Sequence, residues 1–346
     1  MDRRKIISRT FDKFTKSDKI HEAVLFAEDS TGSCSYSKGY NGLDLDSPIF
    51  LASNSKQMTT AVILQLMERG QLTLDDKVSD YFPDVILDKL HVHRGTDWSF
   101  NLTLWHLLSH TSGLPDYFMQ DHALLNRILV EDFEFPFLEV VAATKFLKPH
   151  FIPGEKGKSF YSNANFDILN QIIEKVTNQP LDAVLDEMIF DPLGMADSYL
   201  AVSETDLVPP FYFGDQLLHR PKVIKSLGGS AAVVSTARDL MTFLKAFFHG
   251  RLFSLDTFEG LQVYRKLQFF MRPVQYGGGH MMIPLHSLPP FFRSRGILLG
   301  HSGIAGSFAF YDPRKDLFYT GNFNQIADPS THIRLMIKLA RQLDRT

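Results

Sequence analysis

The residues best suited to nucleophilic catalysis form two Ser-x-x-Lys segments, which pair Ser35 with Lys38 and Ser53 with Lys56. In a strand, residues three apart point to opposite faces, whereas in a helix they are neighbours one turn apart. Ser35 lies in an alternating run that predicts a strand, so its hydroxyl and Lys38 should diverge. Ser53 opens a segment with helical periodicity, which predicts that Lys56 reaches its hydroxyl. The alternative is that Ser53 only caps the helix.

A second candidate is Tyr161, in the only Tyr-x-Asn segment of the chain, where Asn163 precedes a predicted helix. A tyrosine accepts a proton near neutral pH only if cations lower its ordinary pKa of about 10. We expect Lys56 to supply that cation. The alternative is a core tyrosine followed by an asparagine that caps the next helix.

The third candidate is His301-Ser302-Gly303, which ends a predicted strand. Glycine at this point lets a substrate backbone approach the strand edge. His301 offers a proton donor, or a cation near its ordinary pKa of about 6.5. The alternative is an edge strand that ends in a turn.

Periodicity predicts how the chain positions these candidates. An N-terminal helix precedes a predicted β-hairpin, and short strand-like runs return after residue 262. The chain closes with a predicted helix that Asp328 caps and that has Pro329 at its first position. The helices predicted between them cover 102–109, 137–146, 163–176, 181–190 and 236–248, and the later strands cover 296–300, 306–311 and 316–323. We therefore expect an α+β fold, an antiparallel sheet flanked by the terminal helices, with residues 1–56 and 226–346 in the sheet domain and 57–225 in an inserted, mostly helical domain.

Composition excludes several classes of protein. The 346 residues carry 36 Lys plus Arg against 39 Asp plus Glu, a net charge of −3, so nothing indicates a nucleic-acid partner. No run of 18 apolar residues predicts a membrane span, and without a signal-peptide pattern we expect a cytoplasmic protein. Cys34 is the single cysteine, which excludes an internal disulfide. His106 and His110 have metal-ligand spacing but lack a third ligand, so we expect neither metal nor cofactor. The oligomeric state stays open.

Considered together, the three candidates occur in one order, 108 and 140 residues apart. From about residue 20 onward, the chain resembles the serine β-lactamase and penicillin-binding protein superfamily, specifically its class C branch. That branch also contains D-alanyl-D-alanine carboxypeptidases, D-aminopeptidases and esterases. Other segments that carry the resemblance are 50–57, 107–115, Pro153-Gly154, 192–195, Gly228-Gly229 and 235–239.

The resemblance implies a role for each candidate residue. Ser53 would be the nucleophile, Lys56 and Tyr161 would share the general-base work, and Asn163 would bind a substrate amide. The backbone N–H groups of Ser53 and Ile304 would form the oxyanion hole.

These roles predict a serine hydrolase that forms an acyl-enzyme on a small-molecule or peptide substrate, either an ester or a D-amino-acid peptide or amide. Many family members carry Lys-Thr-Gly where this chain has His301-Ser302-Gly303, so we expect weak or no β-lactamase activity. The alternative is a non-catalytic protein that uses the penicillin-recognising fold for binding or as a scaffold.

Overall fold

The computed structural model describes residues 2–120, 123–287, 289 and 295–344. The strands are β1 (Ala23–Glu28), β2 (Ser35–Tyr40), β3 (Ile49–Phe50), β4 (Val92–His93), β5 (Thr96–Asp97), β6 (Tyr199–Leu200), β7 (Phe211–Phe213), β8 (Gln216–Leu218), β9 (Val233–Ser235), β10 (Arg265–Lys266), β11 (Gln275–Gly277), β12 (His280–Pro284), β13 (Ile297–Ser302), β14 (Phe308–Asp312) and β15 (Leu317–Asn322). The helices are α1 (Arg3–Thr15), α2 (Ser55–Glu68), α3 (Asp84–Leu87), α4 (Leu104–Leu108), α5 (Ala123–Val130), α6 (Phe137–Phe146), α7 (Asn163–Thr177), α8 (Leu181–Leu185), α9 (Asp191–Leu193), α10 (Pro221–Ser226), α11 (Ala237–Phe248), α12 (Leu255–Gly260) and α13 (Thr331–Leu343).

The main sheet joins the two ends of the chain. Its 8 strands follow the order β10-β11-β12-β13-β14-β15-β1-β2, and every neighbouring pair is antiparallel. The central strands are buried along almost their whole length because helices cover both faces of the sheet. The expected α+β architecture, with one antiparallel sheet and flanking terminal helices, is therefore confirmed.

Aromatic contacts show which helix covers which face of the sheet. Phe318 of β15 packs against His249 at the end of α11, with ring centroids 5.2 Å apart. Phe323, an odd number of residues further on and therefore on the opposite face, packs 6.1 Å from Phe11 of α1. Helix α13 lies against α1 on this second face, where His332 stacks on Phe308.

The predicted start of the C-terminal helix is wrong by two residues. Helix α13 begins at Thr331, after Ser330, and Pro329 lies outside it. Among the described residues, the Asp328 carboxylate caps no backbone N–H; the Arg334 guanidinium binds it at 2.7 Å and the Ser330 hydroxyl donates to it at 2.9 Å. Asp328 therefore pairs with these two side chains instead of acting as the predicted N-cap.

The chain between the two sheet-forming ends is mostly helix and loop. Helices α6, α7 and α11 occupy their predicted positions, whereas the predicted helix over 181–190 divides into α8 and a π-helix, Asp186–Phe190. Three very short strands, in the order β3-β9-β6, form a second sheet that the periodicity did not reveal. The division into two domains remains a prediction. Within the described ranges, no helix has the length and apolar character needed to cross a bilayer.

Candidate active site

Ser53 lies in a single 3₁₀ turn, Ala52–Asn54, that leads directly into α2. Asn54 occupies the N-cap position and its side chain makes no capping hydrogen bond, so the interpretation of Ser53 as a simple cap fails. Its Oγ instead accepts a hydrogen bond from Lys56 Nζ at 3.2 Å. The preceding Ala52 has a φ of 46°, a left-handed conformation that costs a non-glycine residue about 1–3 kcal/mol and is typical of functional sites.

The other Ser-x-x-Lys segment forms no such pair. Ser35 begins β2, opposite Glu28 of β1. Lys38 extends away to α1, where its Nζ lies 2.5 Å from a carboxylate oxygen of Asp12. The predicted divergence of Ser35 and Lys38 is confirmed.

Lys56 is fully buried and held by three acceptors. Besides Ser53 Oγ, its Nζ donates to Asn163 Oδ1 at 2.8 Å and to the Ser230 carbonyl at 2.9 Å. Burial lowers the pKa of Lys56 to about 8, against the opposing effect of the Asp167 and Asp116 carboxylates. A fraction of the molecules therefore carries a neutral amine, able to accept a proton, near neutral pH.

Asn163, the first residue of α7, connects Lys56 to a buried carboxylate. Its backbone N–H and its Nδ2 both donate to Asp116 Oδ1, at 3.3 and 3.0 Å. Both ends of the Asn163 amide are thus occupied, by Asp116 and by Lys56. The predicted contact with a substrate amide would require one of these hydrogen bonds to open.

Tyr161 lies beside Lys56, whose Nζ is 5.5 Å from the centre of the phenol ring. Gln268 fixes its backbone: Oε1 accepts from Tyr161 N at 2.9 Å and Nε2 donates to Tyr161 O at 3.3 Å. The Tyr161 hydroxyl is buried. The nearby Ser53 hydroxyl acts to lower its pKa, but no described atom completes a hydrogen bond to Oη.

The expected lowering of the Tyr161 pKa by a cation is wrong. Burial removes the phenol from water and raises its pKa well above the ordinary value, and the Asp116 and Asp167 carboxylates add to the rise. In the free protein, Tyr161 is therefore a proton donor rather than a proton acceptor.

His301 is the penultimate residue of β13 and is buried, with its ring centroid 6.2 Å from that of Tyr161. Burial, together with the Lys56 charge, lowers the pKa of His301 to about 3. Nδ1 lies 2.9 Å from the Ser302 backbone nitrogen and 3.0 Å from the Ser302 carbonyl oxygen, two contacts that favour opposite tautomers of the neutral ring. Nε2 is buried and has no partner among the described residues. With its lowered pKa, His301 is therefore a neutral imidazole at neutral pH and not the cation considered from the sequence.

Gly303 lets the end of β13 lie directly against the segment that precedes Ser53. A Cβ on Gly303 would lie 2.4 Å from the Leu51 carbonyl and 2.9 Å from Ala52 Cβ, so a larger residue would separate the two segments. Ser307 joins the two segments as well. Its carbonyl accepts the Gly303 N–H at 2.8 Å, and its hydroxyl donates to Leu51 O at 2.5 Å and accepts from Asn54 Nδ2 at 2.7 Å.

The predicted site residues are close together in the fold. A cavity of about 300 Å³ is lined by Ser53, Tyr161, Asn163, Ser302, Gly303 and Ile304. Lys56 and His301 do not line the cavity but contact residues that do, through the hydrogen bonds described above. One cavity thus joins three segments that are more than a hundred residues apart in the sequence.

The histidines with metal-ligand spacing have other partners. His106 Nδ1 accepts the Thr103 N–H at 3.2 Å, and His110 Nδ1 contacts Asn165 Nδ2 at 2.8 Å. Among the residues that the structure describes, no three His, Cys, Asp or Glu side chains form a group able to hold a metal ion.

Sequence reasoning missed two buried carboxylates of the site, Asp116 and Asp167. Tyr117 Oη donates to Asp167 at 2.8 Å, and burial raises the pKa of Asp167 to about 6. The signal for Asp167 was present, because it follows Asn163 by four residues on the same helix. Asp116 directly follows the segment 107–115 that carries part of the resemblance, whereas nothing in the sequence marks Gln268.

The chain belongs to the Beta-lactamase family, whose model matches residues 24–335. It is 31% identical to monacolin J acid methylbutanoyltransferase of Aspergillus terreus over 218 residues, 56% of this chain and 50% of that protein. It is also 31% identical to esterase EstB of Burkholderia gladioli over 171 residues, 47% of this chain and 41% of the esterase. The D-amino acid amidase of Ochrobactrum anthropi SV3 superposes with a TM-score of 0.80 at 19% identity, covering 100% of both chains.

These similarities confirm the family and the fold expected from the sequence, and the names of the relatives agree with the expected class of enzyme. The chain spans about half the length of the curated relatives it matches. The activity and the substrates of this chain are accordingly matters of proposal.

Proposed function

We propose that this protein is a serine enzyme that transfers acyl groups from esters, or from D-amino-acid amides, to water through an acyl-enzyme at Ser53. The observation that carries the proposal is the buried Lys56 ammonium within 3.2 Å of Ser53 Oγ, with its pKa lowered to about 8. An amine of this pKa can remove the serine proton and thereby activate a nucleophile that is weak when free.

In the proposed first step, Ser53 Oγ bonds to the substrate carbonyl carbon while neutral Lys56 takes the hydroxyl proton. The carbonyl oxygen becomes an oxyanion that the backbone N–H groups of Ser53 and Ile304 receive. The tetrahedral intermediate then expels the alcohol or amine. The Tyr161 hydroxyl protonates this leaving group and regains a proton from the Lys56 ammonium.

In the second step, an acceptor hydroxyl attacks the acyl-enzyme and Lys56 takes its proton. Ser53 leaves with a proton returned to Oγ, so the catalyst is restored. Water as acceptor gives hydrolysis, and an alcohol gives a new ester. The relative named as a methylbutanoyltransferase makes the second outcome worth measuring alongside the first.

The neutral state of His301 supports a preference for esters over β-lactams. A β-lactam antibiotic carries a carboxylate beside its reactive amide, and a lysine at this position would attract that charge at every working pH. His301 has a pKa lowered to about 3 and is a neutral imidazole at working pH. The binding energy of a charge-assisted hydrogen bond, about 1.5–3 kcal/mol, is therefore absent here.

The test is labelling of Ser53 by a fluorophosphonate, followed by intact-protein mass spectrometry. The wild-type protein should gain the mass of one phosphonyl group and hydrolyse p-nitrophenyl acetate. Ser53→Ala should lose both properties, and the matched variant Ser35→Ala should keep both. A wild-type protein that gains no mass and turns over no ester would favour the non-catalytic scaffold instead.

A further inference from the structure

The cavity beside Ser53 is apolar well beyond the reacting residues. Aromatic and aliphatic side chains form its walls, among them Phe50, Ile128, Phe211, Val223 and Ile326, each at least nine-tenths buried. The rings of Phe50 and Phe211 pack against each other with centroids 6.3 Å apart. The volume of about 300 Å³ falls at the small end of the range for organic ligands, which suits one chain or ring.

Charged groups are nearly absent from these walls. Among the described residues, the charged side chains that line the cavity are Asp116 and Arg272. Asp116 Oδ1 is occupied by Asn163 at the reacting end. The exposed Arg272 guanidinium lies 4.8 Å from the centre of the Phe269 ring, at the solvent side. An ionised group on the substrate chain would lose its hydration here and find no opposite charge within the apolar part.

From this distribution we propose that the cavity binds an uncharged apolar chain of the substrate, several carbons long, and rejects chains that end in a charge. The inference rests on the proposed function, because it places the ester carbonyl at Ser53 and the chain along the apolar walls. The chemistry is the same whether the chain belongs to the acid or to the alcohol half of the ester, and the experiment separates these two sources.

Helix α13 supplies a matched pair of residues for the test. Ile333 and Ile337 are both partly buried isoleucines, one helical turn apart. Ile333 lines the cavity, whereas Ile337 lines a separate cleft between α1 and α13. A tryptophan at either position should perturb the packing of α13 to a similar extent. Only Ile333→Trp puts additional volume into the cavity that is proposed to bind the chain.

The experiment measures kcat/KM for p-nitrophenyl acetate, butyrate and hexanoate, and for ethyl, butyl and hexyl acetate. Each buried methylene should raise kcat/KM about fourfold, or about 16-fold from acetate to butyrate, in the series whose chain enters the cavity. A rise in the first series assigns the acid half, and a rise in the second assigns the alcohol half. A flat response in both series overturns the proposal.

Two further comparisons sharpen the test. The p-nitrophenyl monoester of adipic acid matches the hexanoate in length but ends in a carboxylate, and it should react at least about a hundredfold less efficiently. Ile333→Trp should reduce the hexanoate-to-acetate ratio of kcat/KM at least about tenfold, while Ile337→Trp leaves it unchanged. These comparisons apply when the acyl series rises; when the alkyl acetate series rises instead, 6-acetoxyhexanoate takes the place of the adipate ester and the hexyl-to-ethyl ratio of kcat/KM that of the hexanoate-to-acetate ratio. In the series that rises, equal efficiency for the charged and the neutral chain, or equal effects of the two tryptophans, contradicts the proposal.

Failure of this inference is distinguishable from failure of the proposed function. If Ser53 is labelled by the fluorophosphonate and short esters are hydrolysed, but chain length has no effect, the enzyme is a serine hydrolase without an apolar chain site. If Ser53 takes up no label and no ester is hydrolysed, the proposed function itself is wrong.

Discussion

The pH dependence of kcat/KM gives direct access to the protonation state of Lys56 in the free enzyme. With a pKa of about 8, roughly 9% of the molecules carry a neutral Lys56 at pH 7. At the ordinary value of 10.5 the share would be roughly 0.03%, about 300-fold less. If the neutral amine is the base, kcat/KM should rise about tenfold from pH 6 to pH 7 and level off above about pH 9.

Asp167→Asn perturbs this pKa without touching the reacting atoms. The Asp167 carboxylate is the largest influence that raises the pKa of Lys56, and its own pKa of about 6 leaves it mostly ionised at pH 7. Its removal takes away a stabilising negative charge from the ammonium, so the pKa of Lys56 should fall. The rising limb of the profile should therefore move to lower pH. The asparagine retains an oxygen that can accept the Tyr117 hydroxyl.

The assay follows hydrolysis of a p-nitrophenyl ester from about pH 6 to pH 9.5, corrected for spontaneous hydrolysis at each pH. Asp239→Asn is the matched control, because Asp239 is also a buried aspartate with a raised pKa, but its partners are Ser198 and the Asp197 N–H rather than Lys56. Its profile should coincide with that of the wild type. A wild-type profile that is flat from pH 6 to 8, or a limb that moves to higher pH in Asp167→Asn, refutes Lys56 as the base.

Three more outcomes are expected. Tyr161→Phe should lower kcat at least about a hundredfold, because the proposed proton donor is lost. Thermal unfolding should stay nearly unchanged, because the missing hydroxyl has no described hydrogen-bond partner. An unaltered kcat would show that the tyrosine takes no part in proton transfer. Between pH 6 and 8, KM for a carboxylate-bearing ester should stay as constant as KM for its neutral analogue, since His301 is neutral throughout; a rise for the acid alone would reveal an imidazolium. Nitrocefin should be a poorer substrate than p-nitrophenyl acetate in kcat/KM, and equal efficiency would contradict the proposed use of His301.

The parts of the site that the sequence predicted are those fixed by local geometry. Ser53 and Lys56 are neighbours because a helix places residues i and i+3 on one face, whatever surrounds it. The strand that contains Ser35 separates the second pair for an equally local reason. These two predictions needed only the period of the surrounding residues.

The parts that were missed depend on contacts between distant segments. Ser230 contributes a backbone carbonyl to Lys56, so its side-chain type carries no signal. Gln268 holds Tyr161 from 107 residues further along the chain. The need for glycine at position 303 arises from the Leu51 carbonyl, which lies 252 residues earlier in the chain. Sequence periodicity describes one helix or strand at a time and therefore contains no information on contacts between distant segments.

Burial explains why the proton-transfer roles could not be divided from the sequence alone. Transfer of a group out of water disfavours its charged form, so the same environment lowers the pKa of a lysine and raises that of a tyrosine. In the sequence, Lys56 and Tyr161 were equivalent candidates for the base. In the fold, the pKa of Lys56 falls to about 8 and that of Tyr161 rises above its ordinary value. Two neighbouring groups whose pKa values move in opposite directions divide the work between them. In the proposed mechanism Lys56 accepts the serine proton and Tyr161 donates to the leaving group. The pH profile of Asp167→Asn and the kcat of Tyr161→Phe test this division independently.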